Sequence, residues 1–226
     1  MEKESVQVIT EHYQKTFEIT YEMWKERNRL FVYLVMITGI GLLLLLRVPE
    51  LDSLLVNAIV KLLGITDKAS IAQLYKNFPL DVLLTVFLVI IFYLMQRLYS
   101  TNLSVMRNYL YLGAVEGEIR QHLGLPSDSV SFTREGNFYW GKRTFMQKAS
   151  KWFFILVILI ILLSFAILKL INDVNLRNFI VTAVDIPVSI ITMVYFVEYA
   201  RSAQNLDIKE VPSSNSKENI KSKRKK

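Results

Sequence analysis

The stretch "WFFILVILIILLSFAILKL", residues 152–170, decides the fold. Apart from Ser164 and Lys169 it is apolar throughout. A helix of about 20 such residues crosses a hydrocarbon core of about 30 Å. Three more runs of this kind occur: "LFVYLVMITGIGLLLLL" at 30–46, "VLLTVFLVIIFYLM" at 82–95 and "FIVTAVDIPVSIITMVYFV" at 179–197. Of the 226 residues 52% are apolar, and the charges collect between the runs. The pattern predicts a mostly α membrane protein, a bundle of four transmembrane helices.

Basic residues give the expected orientation, because Lys and Arg concentrate in cytoplasmic loops. Five precede the first run, eight lie between the second and third, and eight follow the fourth. The two remaining loops and the span ends beside them hold six: Arg47, Lys61, Lys68, Lys76, Lys169 and Arg177. Both termini are therefore expected in the cytoplasm. The first run follows 29 mostly polar residues, with no small-residue cleavage pattern after it, so a cleaved signal peptide is not expected.

The organisation follows. A cytoplasmic amphipathic helix at 1–29 leads into span one at 30–46. An external loop at 47–79 carries a short interfacial helix, "LDSLLVNAIVKLLG", capped by Gly64. A second short helix there has Asp67 as its N-cap. Span two at 80–98 continues into a cytoplasmic helix and hairpin at 99–151. Span three at 152–171 and span four at 179–199 are joined externally by 172–178. Residues 200–226 form a basic cytoplasmic tail, expected to be disordered for want of apolar periodicity.

Two stretches indicate a cytoplasmic cap. In residues 5–28, Ile9, Tyr13, Phe17, Tyr21 and Trp24 recur at helical spacing. In "SVSFTREGNFYWGKR", residues 129–143, aromatic residues flank Gly136-Asn137, which fits a two-residue β-hairpin turn. Strands are expected near 129–135 and 138–144, giving a small α+β cap. Arg134, Phe138, Tyr139, Trp140, Lys142 and Arg143 are its candidate interaction surface, suited to a cytoplasmic protein partner or an anionic ligand.

Span four carries the sharpest chemical signal. Asn178, Thr182, Asp185, Ser189 and Thr192 are spaced by four, three, four and three residues, which places them on one helix face. An ionisable group inside a span marks function by default. Two readings stand side by side: the face lines a water-filled path in an oligomer, or Asp185 pairs within the bundle with Arg47, Lys169 or Arg177. Pro187 is a candidate kink. Span three, by contrast, reads as lipid-facing.

Cysteine is absent and only His12 and His122 are present, which argues against disulfides, thiolate chemistry and metal centres. No nucleotide-binding loop, zinc motif or nucleophile elbow occurs. No catalytic residue, metal or cofactor is expected, and direct nucleic-acid binding is not called for.

The stretch "YLYLGAVEGEIRQHLG" followed by "FTREGNFYW", set between two membrane hairpins, resembles small bacterial membrane proteins. In plan the chain resembles the four-span effector subunits of antiphage defence systems. The resemblance implies a bacterial inner-membrane location, homo-oligomerisation, and disturbance of the membrane on activation by a cytoplasmic partner or signal. It assigns no role to any residue. The leading expectation is an oligomeric effector or channel-like protein gated through its cap. The alternative is a non-conducting anchor that recruits a cytoplasmic partner, and the third is a small transporter or lipid-handling protein.

Overall fold

The computed structural model describes residues 2–46, 49–126, 129, 131, 145–176 and 179–205. Among the described residues six helices follow one another: α1 (Glu2–Leu45), α2 (Pro49–Leu63), α3 (Lys68–Asn77), α4 (Leu80–His122), α5 (Phe145–Asn175) and α6 (Phe179–Asn205). Four of them contain a segment long and apolar enough to cross a membrane. The chain is a multi-pass membrane protein.

α1 and α4 are each about 65 Å long at 1.5 Å per residue, roughly twice the hydrocarbon thickness. Their length has a simple cause. No proline interrupts either segment, so the amphipathic N-terminal stretch and span one form one helix. Gly113 and Gly117 sit inside α4 at a propensity cost of about 1 kcal/mol each, too little to break it. α4 stops where Gly124 adopts φ +56, and α2 where Gly64 adopts φ +66. α3 begins at Asp67, whose carboxylate accepts from the backbone N–H of Ser70 at 2.9 Å. That backbone hydrogen bond, with the one from the Ser70 hydroxyl, holds the Asp67 carboxyl below its ordinary value.

The chain forms two compact units. One comprises Glu26–Ser100 and Ala149–Glu198. Its interior is a set of seams at alternating steps of three and four: Leu84, Leu88, Ile91, Met95 and Leu98 on α4, and Ile155, Ile158, Leu162 and Phe165 on α5. α1 adds Leu30 and Leu34, and α6 adds Phe196. Gly41 of α1 receives the Phe165 ring so closely that an added Cβ would sit 2.5 Å from it. Only 22–33% of each hydrophobic window is buried within the chain. The outer faces carry exposed Val32, Met36, Val86, Ile160, Ile167, Ile190 and Val194, as a lipid solvent requires.

Span three departs from its sequence reading. Ile155, Ile158, Leu162, Phe165, Lys169 and Asp173 form a buried stripe, so only the opposite side of α5 is lipid-facing. In an all-apolar run the packed face leaves no trace in hydropathy.

The other unit comprises the described parts of Met1–Lys25, Thr101–Lys148 and Tyr199–Lys226. Its interior is more polar. The Tyr13 hydroxyl donates to buried Glu116 at 2.8 Å and Asn102 Nδ2 donates to Ser202 Oγ at 3.1 Å, while on its exposed surface His12 Nε2 meets the Tyr111 hydroxyl at 2.9 Å. Tyr21 and Trp24 do not share the packed face. They are 46% and 38% exposed and stack on each other, ring centroids 6.1 Å apart, while Thr20 is buried. Each step of four overshoots a helical turn by about 40°, so the stripe from Ile9 through Phe17 has rotated off the interior by Tyr21.

Among the described residues there is no strand, and the expected β-hairpin has no support. Of its residues only Ser129 and Ser131 are described. Arg120 donates to their carbonyls at 2.7 and 2.9 Å and to that of Pro126 at 3.0 Å. The cap, as described, is helical.

Candidate functional site

Three ionisable side chains meet inside the membrane-spanning helices. Lys169, Asp173 and Asp185 are all 0% exposed. The Lys169 ammonium donates to Asp173 Oδ1, one turn away on α5, and lies 2.6 Å from Asp185 Oδ2 on α6. Thr85 Oγ1 of α4 lies 3.0 Å from the same Asp185 oxygen and 3.1 Å from the Asp81 carbonyl. Its single proton serves one acceptor or the other. Asn172 Nδ2 donates to Asp81 Oδ1 at 3.3 Å.

The geometry follows from the chain. α5 ends at Asn175 and α6 begins at Phe179, so the two helices are joined by a short link and run back along each other. Lys169 precedes the end of α5 by six residues, and Asp185 follows the start of α6 by six. At 1.5 Å per residue both lie about 9 Å in from the link. Thr85, five residues into α4, lies at about 7.5 Å from that helix's start. Equal depth lets a long lysine side chain close the cluster.

Of the cations expected to pair with Asp185, Lys169 is the one found against it. Arg47 and Arg177 lie outside the described residues, as do Asn178 and the cap residues Arg134, Phe138, Tyr139, Trp140, Lys142 and Arg143. Asp185, Ser189 and Thr192 are buried and Thr182 is half-buried, so the described part of the polar face points into this chain's own bundle. The Thr192 hydroxyl donates to the Val188 carbonyl at 2.7 Å and Thr192 needs no partner helix. α6 continues unbroken through the exposed Pro187, which removes the hydrogen bond to the Ala183 carbonyl.

Asp173, Thr85, Asp81 and Asn172 were not anticipated as part of the site. For Asp173 a signal existed: Lys169 and Asp173 are four apart and share a helix face. The asparagines around it read as a loop, whereas α5 runs on to Asn175.

Three buried polar atoms have no hydrogen-bond partner among the described residues: Asp173 Oδ2, Asp185 Oδ1 and Ser189 Oγ. The cluster is thus clamped but not saturated. Two carboxylates share one ammonium, and acceptor capacity remains on both. Such an arrangement can hold helices together, bind a positive charge, or do both.

No known protein family, curated protein or solved structure shows a match to this chain.

Proposed function

We propose that this chain is an oligomeric integral-membrane effector of channel type, shut in the conformation described and gated through its cytoplasmic helices. The observation that carries the reading is the buried Lys169–Asp173–Asp185 cluster. Ionisable groups within spans are costly and mark function by default. Well-packed apolar residues of similar volume often stabilise a bundle as well as a buried ion pair does. A charge cluster therefore serves something besides cohesion, and a releasable clamp on the polar face of α6 is the simplest use.

The unbroken α1 and α4 support gating, since in this reading each helix joins a membrane segment to a cytoplasmic one. In this reading the termini face the cytoplasm of a bacterial cell, the inner membrane is the site of action, and the stretch from Arg134 to Arg143 receives a partner protein or anionic ligand. The basic-residue asymmetry and the resemblance in plan support these assignments. No catalytic role is proposed.

The alternative is a non-conducting anchor. One observation favours it: the described polar face of α6 is turned toward the chain's own helices rather than toward a second copy. Flux from proteoliposomes separates the two. Asp185→Asn keeps a neutral Lys169–Asp173 pair but removes the charge that clamps α6 to α5. Faster ion leakage than from the original protein, with membrane toxicity on expression, is the effector outcome. A tight bilayer from both proteins, with a partner still recruited in cells, is the anchor outcome.

A further inference from the structure

Charge counting in the cluster comes out negative. Ionised, Asp173 and Asp185 carry two negative charges against the single positive charge of Lys169, and all three are fully buried. Among the described residues the neighbouring helices do not restore the balance. α4 contributes neutral Thr85 and acidic Asp81. From Leu30 to Leu45, α1 has one titratable side chain, Tyr33, which is exposed. On α6, Ser189 and Thr192 are neutral. Among the described residues Lys169 is the one cation in contact with the cluster. A surplus charge removed from water is neutralised rather than tolerated.

A second, independent observation indicates where the neutralising charge sits. Among the described residues, Asp173 Oδ2 and Asp185 Oδ1 are buried acceptors with no donor, and Ser189 Oγ is a buried hydroxyl with no partner. Unsatisfied buried acceptors are rare in native structures and call for an unseen partner. We infer that the closed cluster binds one proton, shared by Asp173 and Asp185. Asp173 Oδ2 and Asp185 Oδ1 are the atoms free to carry it, because Asp173 Oδ1 and Asp185 Oδ2 both face the Lys169 ammonium. A metal cation is disfavoured. Among the described residues no group of three or more carboxylates or imidazoles is placed to hold one, and the Lys169 ammonium already bridges the two acids.

The step is a simple protonation: an O–H bond forms on the carboxylate with a proton taken from water, which is returned when the cluster opens and hydrates. The closed state then holds one proton more than the open one, so closure is favoured at low pH. Opening gains at most about tenfold per pH unit as pH rises through the range where the closed cluster gives up its proton. This rests on the clamp described above but not on conduction, and it is measured without any flux assay.

The test is infrared spectroscopy of the full-length protein in lipid at neutral pH, in sodium and in choline buffers. The original protein is expected to show one buried carboxylic-acid carbonyl band that shifts in heavy water. Asp173→Asn and Asp185→Asn each leave a neutral lysine–aspartate pair and are expected to lose the band. Lys169→Met leaves two acids without a cation and is expected to double it. Should Lys169→Met fail to fold, the two asparagine variants decide alone. The inference is overturned by absence of the band from the original protein, by its survival in both asparagine variants, or by its presence only in choline, which would mark a sodium site instead. Loss of the band in both variants with no flux from any protein would keep the proton site and overturn the channel.

Discussion

Lys169 and Asp185 stand six residues to either side of the ends that α5 and α6 turn toward their link, and their charged groups meet at 2.6 Å. The ammonium ties two antiparallel helices at one depth while also holding Asp173 of its own helix.

The first prediction follows from that sharing. Lys169→Ala leaves two buried aspartates without their cation and should lower stability by roughly 3–5 kcal/mol. Asp185→Asn should cost distinctly less, because Lys169 keeps Asp173. Combining Lys169→Met with Asp173→Leu and Asp185→Leu should recover most of the loss. Thermal unfolding in one detergent ranks the variants; equal midpoints for Lys169→Ala and the original protein would remove the clamp from consideration.

A second concerns Gly41. A Cβ there would lie 2.5 Å from the Phe165 ring, so Gly41→Ala should destabilise by about 1–3 kcal/mol through overpacking. Gly39 faces open space, and Gly39→Ala should be neutral or slightly stabilising, since Ala is the better helix former. Phe165→Leu should relieve Gly41→Ala. A strictly additive double mutant would show that the two do not touch.

Tyr13 provides the third. Its hydroxyl donates to buried Glu116 at 2.8 Å, and taking a donor from a buried acceptor costs about 1–3 kcal/mol. Tyr13→Phe should raise amide exchange around Leu112–Ile119 and leave that of Leu84–Ile91 unchanged. Uniform exchange changes in both segments, or none in either, would refute the assignment.

Asp67 gives a pH dependence. Its carboxyl is held below the ordinary value of 3.8 by hydrogen bonds from Ser70. The cap is therefore fully present above that value and lost as pH falls through the lowered one. Amide exchange at Ser70 and Ile71 should accelerate only in strongly acidic solution, and should be fast at every pH in Asp67→Ala. A midpoint near neutrality would point to another group.

Topology is the fifth. Reporter fusions after Val60 and after Lys226 should lie on opposite sides of the membrane, the latter in the cytoplasm. Two reporters on one side would end the four-span reading of orientation.

The spans, the two short helices between the first two of them and the stops at Gly64 and Gly124 were legible in the chain itself, because hydropathy and turn chemistry are properties of consecutive residues. The face of α6 was legible too, since a period of 3.6 residues is local: Asp185, Ser189 and Thr192 do lie on one side. What that face meets was not. Pore axis and bundle interior present the same period, and only the antiparallel packing of α5 against α6 brings Lys169 to Asp185. Span three hid its inward stripe for the converse reason, as a run of Ile, Leu and Phe has no contrast from which to read a face. Tyr21 and Trp24 looked inward on spacing alone, but a straight helix rotates any four-residue stripe away from a fixed neighbour. Hydropathy and period are carried along the chain; pairing partners, depth and the net charge of a buried cluster arise between helices, where only the folded molecule brings the charges together.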